Sequence, residues 1–105
     1  MSASPARLPR LSGKEYLILD LLSAGGRLYG LELVRRSEGH LKRGTVYVTL
    51  QRMEEKGLVA SQLEQLDEPR PGLARRLYQP TPSGLATLRA VELAANHLAA
   101  SEGIS

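Results

Sequence analysis

The chain has 105 residues, with 14 lysines and arginines, 11 aspartates and glutamates, and a formal net charge of +3. This length suits one domain with one core, and so mild an excess of positive charge does not by itself identify a nucleic-acid binder. There is no cysteine, tryptophan or phenylalanine, which excludes disulfides and thiol chemistry and requires a mainly aliphatic core. No stretch predicts a transmembrane helix, and residues 1–10 lack the apolar region of a secretory signal. We therefore expect a cytoplasmic protein with no membrane association.

Residues 1–10 are expected to form a flexible N-terminal arm, whose Arg7 and Arg10 are expected mainly to keep it solvated, with contact to DNA as the alternative. Ser12 stands three residues before Glu15, which is the spacing of a capping box and predicts the start of a first helix. Apolar residues occur almost all around this helix, as expected of a helix buried on more than one side. The pair Gly25-Gly26 is predicted to end it.

A second helix is predicted from about Tyr29 to Ser37, with Leu31, Leu33 and Val34 turned towards the core. Residues 38–41 then form a turn into the next helix.

The segment from Lys42 to Val59 predicts a third helix, stopped by Gly57 and followed at once by a strand. Its apolar stripe consists of Val46, Leu50 and Met53, and its other face carries Thr45, Thr49, Arg52 and Lys56. A helix that packs by one face can present hydroxyl and guanidinium groups to a DNA major groove by the other. For this segment taken alone, an ordinary amphipathic helix with a solvated polar face is the alternative.

Two strands, from Leu58 to Gln65 and from Ala74 to Gln79, are predicted to form a hairpin with a proline-containing tip at 66–72. Thr81 is predicted to cap a last helix, and Pro82 suits its first position, where no backbone N–H is needed. That helix continues to about Ala100. Its apolar residues follow the 3-4-3 spacing of a short coiled-coil seam and predict a dimer interface: Leu88, Val91, Ala95 and Leu98. Packing onto the first helix is the alternative, and one helix can do both.

Positive charge is concentrated rather than spread evenly. The first cluster holds Arg35, Arg36, Lys42, Arg43 and Arg52, and the second holds Arg70, Arg75 and Arg76, with acidic residues between the two. Such clustering at elements expected to face a groove is typical of phosphate binding.

Two separated motifs give the chain a family resemblance. The first is matched at Gly44, Thr45, Val46, Tyr47, Leu50, Arg52, Lys56, Gly57, Leu58 and Val59, and the second runs from Arg75-Arg76 through Tyr78 and Thr81 to Gly84. Together with Tyr29-Gly30, these residues resemble the PadR family of winged-helix repressors over about Leu11 to Ala100. The chain departs from the pattern at Val48, where many relatives carry proline.

The resemblance implies an α+β fold, a winged helix-turn-helix with a three-helix core and a two-stranded β wing. Residues 11–81 would form the DNA-binding domain, and residues 82–105 a C-terminal dimerisation helix and tail. It implies sequence-specific binding of double-stranded DNA by a homodimer at an inverted-repeat operator, with transcriptional repression as the outcome. The predicted DNA contacts are Arg43, Thr45, Tyr47, Val48, Thr49, Arg52, Arg75 and Arg76. Arg43, Arg75 and Arg76 are expected on phosphates, and Thr45, Val48, Thr49 and Arg52 are expected to face the groove, where the threonine hydroxyls can serve base edges or phosphates and the methyl groups of Thr and Val can meet a thymine methyl. The Tyr47 hydroxyl either reaches a phosphate or belongs to a partly buried core side chain.

Other function classes fit less well. A winged helix that binds another protein and has lost DNA affinity is the main alternative. A small-molecule effector is conceivable, but the last helix carries no aromatic residue to build a stacking pocket. His40 and His97 lie far apart in different elements, so the sequence predicts no catalytic residues, no metal site and no cofactor.

Overall fold

The computed structural model describes residues 10–64 and 75–103. Over these residues the chain forms α1 (Gly13–Gly25), β1 (Leu28–Tyr29), α2 (Gly30–Arg36), α3 (Val46–Glu55), β2 (Val59–Leu63), β3 (Arg76–Pro80) and α4 (Pro82–Gly103). The predicted arm, except for Arg10, and the predicted hairpin tip lie outside the described residues. No helix in the described part of the chain combines the length and the apolar character needed to cross a bilayer.

The capping box at the start of α1 is confirmed. The backbone N–H of Glu15 donates to the Ser12 hydroxyl at 3.1 Å, and the backbone N–H of Ser12 donates to the Glu15 carboxylate at 3.0 Å. Two of the backbone donors that a helix start leaves unpaired are thus satisfied. The helix ends as predicted at Gly26, whose φ of 82° lies in the region that favours glycine.

The three strands form one antiparallel sheet in the order β1-β3-β2. In the wing hairpin, Ser61 pairs with Tyr78 and Leu63 pairs with Arg76. On the other side of β3, Leu28 pairs with Tyr78, which joins the hairpin to the segment between α1 and α2. The hairpin was predicted, whereas the two-residue strand β1 was not, and both wing strands are shorter than expected.

The core is mainly aliphatic, with Tyr78 as its one aromatic member among the described residues, and it is shared by all the described helices. The side chains with no exposed surface are those of Ile18, Leu19, Leu22, Leu33, Leu50 and Met53. Val46 is 1% exposed, so the predicted stripe of α3 is confirmed. The inward direction predicted for Leu31 is wrong, because that side chain is 39% exposed. In a helix of only seven residues, the buried positions Gly30 and Leu33 fix which face turns inward.

Thr81 makes three hydrogen bonds at the start of α4, two to the turn after α3 and one to its own helix. The Thr81 hydroxyl donates to the Gly57 carbonyl at 2.5 Å and accepts from the Gly84 N–H at 2.9 Å, and the Thr81 N–H donates to the Leu58 carbonyl at 3.1 Å. The predicted cap is therefore confirmed, and it also joins two elements. Gly84 is buried at this junction, where an added Cβ would overlap the Leu58 carbonyl oxygen.

Candidate nucleic-acid interface

The outer face of α3 is largely open to solvent. Thr45 and Arg52 are exposed, Val48 is 50% exposed and Thr49 is half-buried, while Leu50 on the opposite face has no exposed surface. Val48, Thr49 and Arg52 share one face of α3, and Thr45 is the N-cap residue just before it. These four residues form the outer stripe of α3. Arg43 is also exposed, in the turn that precedes the helix. The structure thus brings together the predicted contacts of the helix.

The threonine hydroxyls of this stripe point towards backbone carbonyl oxygens three or four residues earlier in the chain. Thr49 Oγ1 donates to the Thr45 carbonyl oxygen at 3.3 Å, one helical turn earlier. Thr45 Oγ1 lies 3.5 Å from the Lys42 carbonyl oxygen, which is the longer of the two contacts. The Thr49 hydroxyl proton therefore has a partner within the helix before any ligand arrives, whereas the longer Thr45 contact is at most weak.

Tyr47 lies over the start of α2. Its side chain is 46% exposed, and its ring fills the space beside Gly30, where an added Cβ would come 2.5 Å from ring atom Cε1. Only glycine at position 30 allows this close approach of α2 to α3. The ring thus packs against the protein while much of the side chain stays accessible.

A cleft of about 280 Å³ separates the wing from the paired helices α2 and α3. Arginines reach it from two sides, Arg35 from α2 and Arg75 and Arg76 from the wing, and Tyr29 and Tyr47 line it as well. Glu32 is a further lining residue, but its carboxylate accepts the backbone N–H of Tyr29 at 2.9 Å. Within the described residues, the cleft brings together cations that are distant in sequence.

Arg75 is held by a cluster at the base of the wing. Its guanidinium lies 4.2 Å from the centre of the Tyr29 ring, and its Nε is 3.9 Å from the Glu64 carboxylate. The Tyr29 hydroxyl donates to the same carboxylate, which raises the pKa of Tyr29 above its ordinary value. The cluster orients Arg75, whose side chain remains 62% exposed.

Arg76 has a different set of partners, as expected for neighbouring residues that point to opposite sides of a strand. Its Nη1 donates to the Ser61 hydroxyl at 3.0 Å, and that hydroxyl lies 2.9 Å from the Glu54 carboxylate at the end of α3. The contact ties the wing to the helix. Both arginines nevertheless border the same cleft.

Lys56 does not extend the outer stripe of α3, contrary to the sequence prediction. Its Nζ lies 2.8 Å from the Glu15 carboxylate at the start of α1. Burial raises the pKa of the Glu15 carboxyl, but the hydrogen bonds from Lys56 and the Ser12 backbone and the charge of Lys56 outweigh it, so the net shift is downward. Lys56 therefore joins helices rather than facing a ligand.

The residues of α4 that were predicted to form a dimer interface differ from one another in burial. Leu88 is 4% exposed and belongs to the chain's own core, so it has almost no surface left for a partner. Val91 is half-buried and Ala95 is exposed, and Leu98 lies beyond the part of α4 whose side chains are described. Leu93, which the seam did not include, is 69% exposed.

Comparison with known proteins places this arrangement in a family. The model of the transcriptional regulator PadR-like family matches residues 18–90, well over half of the chain. The protein belongs to the PadR-like family of transcriptional regulators. A PadR family regulator from Clostridium difficile is 26% identical, with a TM-score of 0.73 over 88% of this chain and 96% of that one. Another from Eggerthella lenta is 29% identical, with a TM-score of 0.69 over 85% of this chain and 77% of that one. No curated protein sequence matches the chain.

Membership of the PadR-like family implies that the chain is a winged-helix transcriptional regulator that binds DNA. The matched residues run from α1 into α4 and include α3 and the wing strands. Sequence reasoning missed Tyr29 and Glu64 as partners of the wing and placed Arg35 only within a charge cluster. Tyr29 carried a signal, the Tyr-Gly pair of the family resemblance, whereas nothing in the local pattern marked Glu64.

Proposed function

We propose that the protein is a transcriptional repressor that binds an inverted-repeat operator in duplex DNA as a homodimer. The observation that carries the proposal is that the outer stripe of α3 is mostly exposed and has arginines on either side of it, while the inner stripe of the same helix is buried. A DNA major groove accepts one α-helix, and Thr45, Val48, Thr49 and Arg52 would face the bases there. Arg52 at the end of the stripe is suited to a guanine, which it can contact through two hydrogen bonds.

The wing and the cleft beside it would take the DNA backbone. Phosphate contacts set the register of a protein on the duplex, and arginine suits them because its donors form a planar fork. Arg43 precedes α3, and Arg75, Arg76 and Arg35 border the cleft, so cations flank the helix on both sides. The Tyr47 ring packs on Gly30 and would direct its hydroxyl towards the same backbone.

The division into a DNA-binding domain at 11–81 and a dimerisation helix from residue 82 is part of the proposal. Tyr16, near the start of α1, donates to Glu92 of α4 at 3.1 Å. From Glu92, α4 continues to Gly103, a rise of about 16 Å, whereas only about 5 Å of α1 precedes Tyr16. The last turns of α4 thus extend past the helix they pack on. There Val91, Ala95 and Leu98 share one face of the helix, and the exposed Leu93 lies on the opposite face. We place the interface at Val91, Ala95 and Leu98.

Assembly is tested by Leu98→Glu, with Leu93→Glu as a matched control that adds a charge at an exposed leucine on the opposite face of the same helix. Sedimentation of the unaltered protein should give a dimer, Leu98→Glu should shift it towards monomer, and Leu93→Glu should leave it unchanged. A dimer of Leu98→Glu as stable as the original would place the interface elsewhere.

DNA binding is tested by selecting duplexes from a random pool and measuring affinity against salt concentration. Replacing Arg75 and Arg76 by alanine should weaken binding to all duplexes and reduce the salt slope by about one to two phosphate contacts per subunit. The doubly substituted Thr49→Ala, Arg52→Ala protein should fold normally and lose more affinity for the selected duplex than for random DNA. No salt-dependent binding to any duplex would instead favour a protein-interaction module.

Repression is tested with a reporter gene whose promoter overlaps the selected sequence. Expression should rise when the protein is absent or when it carries the Thr49→Ala, Arg52→Ala pair. A fall in expression would identify an activator. These outcomes do not require a small-molecule effector. If one exists, adding it should change the affinity of the protein for the operator.

A further inference from the structure

Val48 and Thr49, at the centre of the outer stripe of α3, both carry methyl groups on Cβ. Val48 presents only an aliphatic surface and is 50% exposed. The hydroxyl of Thr49 donates to the Thr45 carbonyl at 3.3 Å, so one γ substituent is held against the preceding turn and its methyl is the other. The centre of the stripe is therefore less polar than its sequence suggests.

The hydrogen bond of Thr49 limits which bases it can recognise. The acceptors that the major groove offers are N7 and O6 of guanine, N7 of adenine and O4 of thymine, and each of them requires a donor. While the hydroxyl keeps this bond, it can only accept, from the amino groups of adenine or cytosine. The methyl group of this half-buried side chain would then be the part that meets the C5-methyl group of thymine.

We propose that Val48 and Thr49 recognise thymine through its C5-methyl group, so that each half-site contains thymine where the middle of α3 lies in the groove. The inference rests on the proposed function. Both side chains are short, which would let the helix backbone approach the bases closely. Thr45 can extend the same methyl surface towards the start of the helix, where its side chain is exposed.

The test uses the duplex selected from a random pool and a set of copies in which single thymines are replaced by deoxyuridine, which lacks only the methyl group. Removing the contacted methyl should reduce affinity about fourfold, the expected cost of exposing one such group. Thr49→Ser, which loses the protein's methyl and keeps the hydroxyl, should show a similar loss on the original duplex. On the deoxyuridine duplex it should show little further loss, because the two changes remove the same contact. Val48→Ala should behave in the same way at its own thymine.

Thr49→Val separates the methyl group from the hydroxyl, since it keeps the shape and removes the oxygen. Its affinity should stay within about twofold of the original protein. Thr87 gives a matched control on α4, because its hydroxyl also donates to a carbonyl one turn earlier, that of Ser83, at 2.9 Å. Thr87→Val and Thr87→Ser measure what the same exchanges do to a helix away from the proposed groove, and neither should alter affinity.

The outcomes decide between the possibilities. If Thr49→Val loses affinity while Thr49→Ser does not, the hydroxyl contacts the base and the inference is wrong. If no single deoxyuridine weakens an otherwise specific and salt-dependent complex, methyl recognition fails while the proposed DNA binding stands. If the original protein binds no duplex, both fail together.

Discussion

The outer face of α3 lies within the first motif and the junction between α3 and α4 joins the two motifs, yet the two regions differ in how strongly the fold constrains them. At the junction, Thr81 makes three hydrogen bonds to the turn after α3 and to its own helix, and Gly84 has no space for even one more carbon atom. On the outer face, Val48 and Arg52 are exposed and contribute nothing to the core.

The two regions therefore have different roles, one in positioning the helices and one in the proposed contact with DNA. The junction fixes the position of α4 on α3 and β2, and through it the position of the proposed dimer helix relative to the proposed DNA-reading helix. The outer face is free to change with the DNA sequence it binds, since surface substitutions usually alter stability by less than about 0.5 kcal/mol. Substitutions at the junction should therefore reduce stability first, and those on the outer face should reduce DNA affinity without unfolding.

The largest effect is expected for Gly84→Ala. The new Cβ would overlap the Leu58 carbonyl oxygen, a backbone atom that cannot move without shifting β2 or α4. We expect a loss of about 3 kcal/mol or more in the free energy of unfolding, measured by urea denaturation. Gly13→Ala is the control, because nothing lies within 4 Å of its added Cβ and it starts a helix, so stability should stay equal or rise. Equal effects at the two glycines would contradict the steric argument.

Thr81→Val comes next. It keeps the shape of the side chain and removes the hydroxyl that bonds both the Gly57 carbonyl and the Gly84 N–H. Loss of a helix cap and of a second hydrogen bond should cost about 1–3 kcal/mol in thermal or urea unfolding. Thr81→Ser retains the hydroxyl and should recover most of that stability. If serine proves as destabilising as valine, the methyl group matters there and not the hydrogen bonds.

Local patterns predicted much of the scaffold, because the interactions concerned span only a few residues. The Ser12–Glu15 capping box, the buried stripe Val46, Leu50 and Met53, and the cap at Thr81 each follow from spacing along one element. Each was confirmed by a hydrogen bond or by burial.

The features that were missed depend on distant parts of the chain. Strand β1 has only two residues and exists because β3 pairs with it, so no period-two pattern could reveal it. Lys56 has the spacing of a groove-facing residue, but Glu15, 41 residues away, pairs with it. For the proposed DNA contacts, sequence reasoning identified the exposed stripe but could not tell where the threonine protons are bonded.

Gly30→Ala links the two regions, since it alters the support of a proposed DNA contact without touching DNA itself. The added Cβ would displace the Tyr47 ring, which is the end of a rotatable side chain and can swing away. We expect a change in stability of no more than about 1 kcal/mol. The loss of affinity should be similar on selected and random duplexes, because a tyrosine hydroxyl near the backbone contributes no base contact. Tyr47→Phe should show a comparable loss, and unchanged affinity in both variants would remove Tyr47 from the interface.

The smallest effect is expected at the ion pair between α1 and the end of α3, which supports the scaffold behind the outer face. Lys56 is 56% exposed and Glu15 only 9%, so solvent screens the pair and about 0.5–1 kcal/mol is a reasonable coupling energy. Because the folded protein holds the pKa of Glu15 below its ordinary value of 4.5, the stabilisation is present above that pH and is lost as the pH falls through the lower folded value. Glu15→Gln retains an acceptor for the capping box and removes only the charge. Its stability deficit at pH 7 should therefore shrink below pH 4.5, and a double-mutant cycle with Lys56→Met should show the same coupling. A deficit that stays constant down to acid pH would mean that the charge of Glu15 does not stabilise the fold.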